Sequence, residues 1–398
     1  MKLLHEVNRK FRELYGGEPL LVRSPGRVNL IGEHTDYNLG YVLPAAINKS
    51  IYFALTPRAD RRCCLFALDM NDALEFSLDD FHHVAQGWPN YPMGVVDQLN
   101  KGGHAIEGFN CVFGGDIPIG AGLSSSAALE AGLAFGLNHL FELKLDNLSL
   151  VRLAHRAEND FVGVQCGIMD MYVNIFGEQG KVLRLDCRTL EHKSYPFETN
   201  STSIVLFDTG ISHALASTEY NQRRKECNTG VALIMERHPH VMSLRDVSSD
   251  MLDEFEGKMD STVYRRCRYV VEENSRVLRA CAALMAKDLK GFGSLMYETH
   301  KGLSNKYGVS CEELDFLVES TLDENSVYGS RMMGGGFGGC TISLIDKGSV
   351  ESVSKKLRSE YHRRFGRELR TYVTLIASGT QIISVDEFAA VSGSLPRV

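Results

Sequence analysis

The stretch from Gly120 to Glu130 constrains the fold more than any other part of the sequence. It reads Gly-Ala-Gly-Leu-Ser-Ser-Ser-Ala-Ala-Leu-Glu, and apolar residues continue with helical spacing to Leu143. Glycine lets the backbone bend tightly and lets an anion approach its N–H groups. The helix that follows directs its free N–H groups and the positive end of its dipole to the same place. The stretch therefore predicts a phosphate-binding loop, in which serine hydroxyls donate hydrogen bonds or bind Mg²⁺.

The residues of this stretch alone leave a simpler interpretation open. No Gly-Lys-Ser or Gly-Lys-Thr follows, so the loop is not of the Walker type. A serine-capped helix after a glycine turn would show the same residues. The rest of the chain has to decide between the two interpretations.

The composition excludes several classes of protein. Of the 398 residues, 44% are hydrophobic and 23% are charged, as in ordinary globular proteins, and the length suggests two domains or one large one. The net charge of −7, without a basic run, argues against a nucleic-acid partner. The ten cysteines are scattered, without a Cys-x-x-Cys pair, as is typical of reduced thiols. Because the sequence contains neither a signal-peptide core nor a long apolar run, we expect a cytoplasmic protein that does not contact a membrane.

A second segment, Arg23 to Asn38, combines charged side chains with interleaved apolar residues. Apolar residues at positions 28, 30 and 31 indicate that the segment lies against a core, where polar groups normally have partners. A solvated polar turn is the alternative, and we favour ligand binding. The candidate binding residues of the segment are Arg27, Glu33, His34 and Asp36.

Two isolated carboxylates follow the glycine-serine loop. Glu158 lies near the C-terminal end of a predicted helix, where the helix dipole disfavours a negative charge, so a cation is its expected partner. Asp170 stands in the otherwise apolar run from Gln165 to Gly177. A lone Asp is often a helix cap, but Gly167 is better placed to interrupt the chain. We therefore interpret Asp170 as a functional carboxylate.

The remaining pattern predicts a mixture of helices and strands. We expect helices over 3–15, 218–236, 262–287, 289–303, 311–322 and 350–365. We expect strands over 51–55, 64–67, 74–76, 109–114, 181–186, 203–208, 340–345 and 371–377. Residues 334–339 satisfy G-x-G-x-x-G but precede a strand, which excludes the dinucleotide fingerprint and leaves a close backbone approach. The single tryptophan, Trp88, lies beside a turn and is either a core residue or a stacking wall for a flat ring.

Three glycine-marked segments in this order, with an isolated Asp after the second, resemble the motifs of a known enzyme family. Arg27 to Asn38 is similar to the signature of the galactokinases. Gly120 to Glu130 and Ser330 to Gly339 resemble the second and third motifs of a wider superfamily, the galactokinase, homoserine, mevalonate and phosphomevalonate (GHMP) kinases. The resemblance runs from about Arg23 to Ile345 and covers most of the chain.

The resemblance implies a fold and an activity. It implies a two-lobed α+β fold, with an S5-domain-2-like lobe over residues 1–195, a ferredoxin-like lobe over 196–398 and the active site in the cleft. It implies MgATP-dependent phosphorylation of the anomeric hydroxyl of D-galactose, the first committed step of galactose catabolism by the Leloir pathway. Galactose and ATP would be the substrates and Mg²⁺ the cofactor, and we expect a monomer. A kinase for arabinose or N-acetylgalactosamine, or a non-catalytic galactose sensor on the same fold, stays open.

The resemblance also implies roles for individual residues. Asp170 and Arg27 match the catalytic pair, and whether Asp170 acts as a base or as an orienting group stays open. The implied sugar contacts are Glu33, His34, Asp36, Gly167 and Tyr220. The implied ATP contacts are Trp88, Gly120, Gly122, Leu123, Ser124, Ser125 and Ser126. The implied Mg²⁺ ligands are Ser126 and Glu158.

Two methionines depart from the family pattern. Met171 stands where the family commonly has Gln, and we expect it to change the floor of the sugar pocket. Met333 stands where Thr is common and removes a hydroxyl near the phosphates, so backbone groups would have to replace it. The choice of sugar is therefore less constrained by the sequence than the type of reaction.

Overall fold

The computed structural model describes residues 2–85, 87–118, 120–197, 201–211, 216–384 and 387–388. The helices are α1 (Lys2–Tyr15), α2 (Asn90–Lys101), α3 (Ser125–Leu140), α4 (Asn147–Arg156), α5 (Met169–Phe176), α6 (Ala216–Met235), α7 (Ser249–Asp253), α8 (Ser261–Met285), α9 (Leu289–Gly302), α10 (Glu312–Glu319) and α11 (Val350–Phe365). The strands are β1 (Leu20–Asn29), β2 (Tyr41–Val42), β3 (Pro44–Pro57), β4 (Arg62–Ala67), β5 (Asp72–Ser77), β6 (Phe109–Gly115), β7 (Lys181–Asp186), β8 (Glu191–Pro196), β9 (Thr202–Asp208), β10 (Val327–Met333), β11 (Cys340–Asp346), β12 (Arg370–Thr374) and β13 (Gln381–Ile382).

The elements with a clear apolar period are confirmed, and the differences have local causes. The predicted last strand over 371–377 is shorter, because β12 ends at Thr374 and only Ile376 makes a further bridge, to Ile47. Strands β1 and β10 were missed, since proline, glycine and charged residues interrupt their apolar alternation. The predicted helix with Glu158 near its C-terminal end consists of α4, followed by a π-helical turn over Ala157–Val162.

A six-stranded sheet in the order β13-β1-β3-β6-β4-β5 forms the centre of the N-terminal part. Its pairs are antiparallel except β4 with β6. Alternating residues of β3 point to opposite faces: Ala54 packs under α1 with Phe11, whereas Phe53 packs beneath α3 with Leu133. The sheet is therefore covered by helices on both faces, and α3 is held against the strand that leads to Arg27.

Helix α3 approaches the sheet at a glycine. A Cβ on Gly132 would lie 2.5 Å from the Cβ atom of Ser24 and 2.6 Å from Cε2 of Phe53, so only glycine fits the present spacing. Ser24 also donates a hydrogen bond to the carbonyl of Ala128 at 2.7 Å. These contacts fix the first turns of α3 against β1.

A four-stranded antiparallel sheet in the order β10-β11-β9-β12 forms the centre of the C-terminal part. Val205 of β9 packs against α11, and its neighbour Leu206 faces α9. The sheet is thereby buried on both faces, and its strand β10 carries the residues that precede the third glycine motif. A small sheet, β2-β7-β8, completes the strands.

The end of the described chain returns to the N-terminal sheet. Strand β13 pairs with β1, placing Ile382 opposite Val22. Thr380 Oγ1 donates to Asn174 Oδ1 at 2.6 Å beneath α5. The division into lobes near residue 195 stays a prediction, and these last residues belong spatially to the first lobe. Among the described residues, no helix combines the length and the apolar character needed to cross a membrane.

Replacing Gly132 by alanine is expected to destabilise the protein. Alanine favours a helix over glycine by about 1 kcal/mol, but forcing a methyl group into a packed interface costs about 1–3 kcal/mol. The thermal unfolding midpoint of Gly132→Ala should therefore fall. The exposed Ser359→Ala in α11 is the control and should leave the midpoint unchanged or slightly higher. An increase for Gly132→Ala would contradict the close packing of α3.

Candidate active site

One cavity of about 290 Å³ gathers residues from distant parts of the chain. The end of β1 with its following loop forms one wall, and the segment before α5 forms another. Tyr220 of α6 and the glycines after β10, Gly334 and Gly335, complete the lining. The predicted catalytic, sugar and metal residues found in this lining are Arg27, Glu33, His34, Asp36, Glu158, Gly167, Asp170 and Tyr220.

Arg27 and Asp170 form a two-pronged ion pair in this cavity. Arg27 Nε lies 2.9 Å from Asp170 Oδ1, and Arg27 Nη2 lies 3.0 Å from Oδ2. Arg27 is buried, whereas the Asp170 side chain is 27% exposed and so can reach a ligand. Burial disfavours the guanidinium charge, but the carboxylates of Asp170 and Glu33 raise the pKa of Arg27 above its usual value. The pair joins the end of β1 to the first turn of α5.

The glycine-serine loop wraps this ion pair. Arg27 donates its backbone N–H to the carbonyl of Leu123 at 3.2 Å and a side-chain N–H to the carbonyl of Gly122. Ser124 donates its hydroxyl to Asp170 Oδ2. Ser124 is in the left-handed region at φ 59° and makes no side-chain cap to α3, because its hydroxyl is used for Asp170. The first half of the loop therefore supports the ion pair, and its predicted contacts with ATP stay a prediction.

Asp36 and Gly167 both line the cavity and lie in direct contact. A Cβ atom on Gly167 would lie 1.8 Å from Asp36 Oδ2, so the carboxylate is seated where a larger residue would stand. Burial, followed by the charge of Asp170, raises the pKa of Asp36 to about 7. A buried carboxyl with this pKa either shares a proton or binds donors such as hydroxyl groups.

Glu33 is held by the third glycine motif. Arg331 Nη2 donates to Glu33 Oε2 at 3.0 Å, Asn29 Nδ2 donates to the same oxygen, and the Gly334 N–H donates to Oε1. Arg331 is fully buried on β10 and also donates to the carbonyl of Leu30 at 2.9 Å. Sequence reasoning missed Arg331 and Asn29. The one available signal was a charged residue three positions before the glycine-rich run that begins at Gly334.

Aromatic rings enclose the His34 side of the cavity. The ring of Tyr220 lies with its centroid 5.3 Å from that of His34 and 5.1 Å from that of Tyr37. His34 Nδ1 and the Tyr37 hydroxyl are 2.8 Å apart. Burial lowers the pKa of His34 to about 3, so the imidazole is neutral at neutral pH. Nε2 makes no hydrogen bond of good geometry within the described part of the chain, although the backbone of Gly335 is near.

A second cavity, of about 560 Å³, lies at the start of α3. Trp88, Ser125 and Ser126 line it, whereas the other four predicted ATP contacts (Gly120, Gly122, Leu123 and Ser124) are not part of its lining. The Trp88 ring packs edge-on against Phe113 at 5.3 Å between centroids, and its Nε1 donates to Asp72 at 3.0 Å. Trp88 is thus both a core residue and a cavity wall.

Ser126 and Glu158 lie at the boundary of the two cavities. Ser126 lines the larger cavity and Glu158 the smaller, and Ser126 lies close enough to the Glu158 carboxylate to lower its pKa. Burial, with the charge of Asp170, raises the pKa of Glu158 to about 7. Glu130, which sequence reasoning did not select, is fully buried beside Glu158, and burial raises its pKa well above the usual value.

The expectation that Met171 changes the floor of the pocket is wrong for the smaller cavity. Met171 is fully buried against residues such as Val42 and Ala131 and is not part of the cavity lining, whereas Met169 of the same cluster lines the smaller cavity. The helical step of 100° between neighbours turns the Met171 side chain away from the Asp170 side of α5. Met333 is also buried, and its carbonyl lies 3.2 Å from where a Cβ of Gly122 would stand. The second and third motifs thus touch through their backbones, as the glycine-rich pattern predicted.

Comparisons with known proteins identify relatives along the whole chain. Three family models match: the galactokinase galactose-binding signature over residues 9–57, the GHMP kinases N terminal domain over 90–178 and the GHMP kinases C terminal model over 280–363. A galactokinase of Roseiflexus sp. is 43% identical over 375 residues, which cover 94% of this chain and 96% of the relative. A galactokinase of Clostridium acetobutylicum is 38% identical over 390 residues, covering 96% and 100%.

Solved structures agree with these sequence relatives. The crystal structure of Lactococcus lactis galactokinase complexed with galactose matches with a TM-score of 0.91 and 36% identity, covering 95% of this chain and 99% of that one. Methanococcus jannaschii mevalonate kinase matches with a TM-score of 0.62 and 18% identity over 91% and 99%, which shows the shared fold alone. The chain has the two-domain α+β fold of the GHMP kinases, and it belongs to the galactokinase family of sugar kinases.

Proposed function

We propose that this protein transfers the γ-phosphoryl group of MgATP to the anomeric hydroxyl of D-galactose and releases α-D-galactose 1-phosphate, the first committed step of galactose catabolism. The observation that carries the proposal is the position of the Arg27–Asp170 ion pair. The pair lies in a polar cavity of about 290 Å³, and a larger cavity at the start of α3 adjoins it through Ser126 and Glu158. Such an arrangement suits a sugar on one side and a nucleotide on the other.

The smaller cavity has the chemistry of a hexose site. Asp36, Glu33 and the neutral His34 supply hydrogen-bond acceptors or donors in fixed directions, and Tyr220 supplies an aromatic wall. Galactose and glucose differ only in the orientation of one hydroxyl, so discrimination requires directional hydrogen bonds. A buried site of this kind rejects an analogue that leaves its polar atoms unpaired, by factors of roughly 10⁴.

The larger cavity and the start of α3 suit a nucleotide. Trp88 offers an apolar wall for the base, and Ser125 and Ser126 of the first turn of α3 line the same cavity. The N-terminus of a helix offers unpaired N–H groups that suit phosphate. Phosphoryl transfer requires mainly positioning and neutralisation of charge. Asp170 would orient the attacking hydroxyl and accept its proton, and Arg27 would balance the charge that develops beside it.

The residues at the boundary fit Mg²⁺. Among the described residues, no cluster of three or more His, Cys, Asp or Glu side chains forms a metal site. Mg²⁺, however, is commonly bound by one or two protein oxygens together with water and substrate phosphates. The Glu158 carboxylate and the Ser126 hydroxyl are hard oxygen donors on the nucleotide path and would hold the ion. When bound, Mg²⁺ supplies neutralisation of the phosphate charge.

A sugar panel separates the alternative functions. A galactose sensor would bind the sugar without turnover, and a kinase for arabinose or N-acetylgalactosamine would prefer those sugars. The intact Arg27–Asp170 pair, together with Ser126 and Glu158, favours an enzyme over a sensor. ADP release should be fastest with galactose, and slow or absent with glucose, arabinose and N-acetylgalactosamine. The monomeric state and the cytoplasmic location stay predictions, which light scattering and cell fractionation would test.

Asp170→Asn is expected to abolish most of the turnover. The substitution preserves shape but removes the charge, and acid–base groups contribute about 10²–10⁴-fold to the rate. Galactose affinity, measured by calorimetry, should stay close to that of the wild type. The exposed Asp323→Asn is the control. Turnover within about tenfold of the wild type, or 1.4 kcal/mol of barrier, would exclude a central role for Asp170.

Gly167→Ala is expected to impair the sugar site selectively. The added methyl group would displace the Asp36 carboxylate, so the KM for galactose should rise about tenfold or more while the KM for ATP stays unchanged. Gly335→Ala is a matched comparison in the same cavity, because its Cβ would lie at an ordinary distance of 3.6 Å from Tyr220. Equal effects of the two variants on galactose would contradict the assignment of Asp36 to the sugar.

Ser126→Ala combined with Glu158→Gln should weaken the Mg²⁺ dependence. Both changes remove oxygen donors at the boundary, so the half-saturating Mg²⁺ concentration should rise about tenfold or more. Ser125→Ala, which removes the neighbouring hydroxyl, should leave the Mg²⁺ titration near that of the wild type. An unchanged titration in the double variant would show that the ion is held elsewhere.

A further inference from the structure

The third glycine motif faces the smaller cavity. Gly334 and Gly335 line that cavity, and Gly334 donates its N–H to Glu33. The lining of the larger cavity, as far as the described residues go, includes none of residues 330–339. The contacts of this motif therefore relate it to the proposed sugar site.

The hydrogen bonds of Glu33 leave one acceptor position free. A carboxylate offers about four acceptor positions, two on each oxygen. Oε2 accepts from both Arg331 and Asn29, and Oε1 accepts from the Gly334 N–H. Because Glu33 also lines the cavity, the remaining position on Oε1 is available to a single hydroxyl group.

Arg331 fixes the direction of this free position. Its guanidinium is fully buried and donates to the carbonyls of Asn29 and Leu30 as well as to Glu33. These bonds join β10 to the end of β1, so the guanidinium cannot rotate without leaving buried carbonyls unpaired. Its charge also compensates the buried carboxylate of Glu33, which is 3% exposed.

We infer that Arg331, assisted by Asn29, is a positioning residue for sugar specificity. It directs Oε1 of Glu33 towards one hydroxyl group of the hexose, and the third glycine motif serves sugar recognition through it. This inference rests on the proposed sugar kinase function. It concerns a residue that acts through Glu33 and does not itself reach the cavity lining.

Monodeoxy sugars test the inference whichever hydroxyl of the hexose Glu33 accepts. The variants Arg331→Lys and Asn29→Ala are assayed for kcat/KM with galactose and with its 2-, 3-, 4- and 6-deoxy analogues. Each variant should lower kcat/KM about tenfold or more for galactose and for every analogue except one. The excepted analogue lacks the hydroxyl group that donates a hydrogen bond to Glu33, so its kcat/KM should fall less than about threefold. It should be the same analogue for both variants.

A matched control variant and the wild-type protein distinguish failure of the inference on Arg331 from failure of the proposed function. Arg266→Lys changes another largely buried arginine, which contacts the Glu226 carboxylate and the Lys306 carbonyl, and it should affect all sugars equally or not at all. A parallel loss for all five sugars, or different excepted analogues in the two variants, would overturn the inference. If Arg331→Lys does not fold, Asn29→Ala decides alone. Failure of the wild type to phosphorylate galactose would instead refute the proposed function.

Discussion

The structure of the site depends on one buried guanidinium. Arg27 lies at the end of β1, where burial would make an unpaired charge very costly, and Asp170 supplies the compensating carboxylate from α5. Breaking such a buried pair on one side typically costs about 3–5 kcal/mol. Arg27 also donates a side-chain N–H to the carbonyl of Gly122 and its backbone N–H to the carbonyl of Leu123, so the same residue fixes the loop before α3. One residue thereby connects the carboxylate proposed to be catalytic, the first strand and the loop proposed to face the nucleotide.

Close backbone approaches bring the three motifs together around this pair. A Cβ on Gly26 would lie 2.9 Å from the Leu123 carbonyl, which joins the first motif to the second. The approach of Gly122 to the Met333 carbonyl joins the second to the third. Glycine at these positions allows main chains to contact each other directly. Each motif therefore contacts the next one in the sequence through its backbone, and the second motif lies between the first and the third.

The sequence could predict the elements and residues that carry a local signal. Helix α11 shows a regular apolar period and occupies the predicted residues. Asp170 was selected because it stands alone in an apolar run in which Gly167 is better placed to interrupt the chain. The position of Arg331 before a glycine-rich run is only a weak signal, and β13 carries none, since the partners of both lie about 300 residues or more away along the chain. The error at Met171 has the same origin: adjacency to Asp170 in sequence says little about which face of α5 a side chain occupies. The sequence showed the residue types, but it could not show which distant residues contact each other.

The charges of the smaller cavity explain why the two proposed substrates belong together. Arg27 balances Asp170 and Arg331 balances Glu33. Within the described part of the chain, neither Asp36 nor Glu158 forms an ion pair with an arginine. Burial raises the pKa of each to about 7. Hydroxyl groups of a sugar would satisfy Asp36 as donors, and a cation carried with the phosphates would satisfy Glu158. Since the charge of Asp170 raises the pKa of both carboxyls, a ligand that compensates the charge of Asp170 would relieve the repulsion on Asp36 and on Glu158 together, and would couple binding of the sugar to binding of the metal–nucleotide.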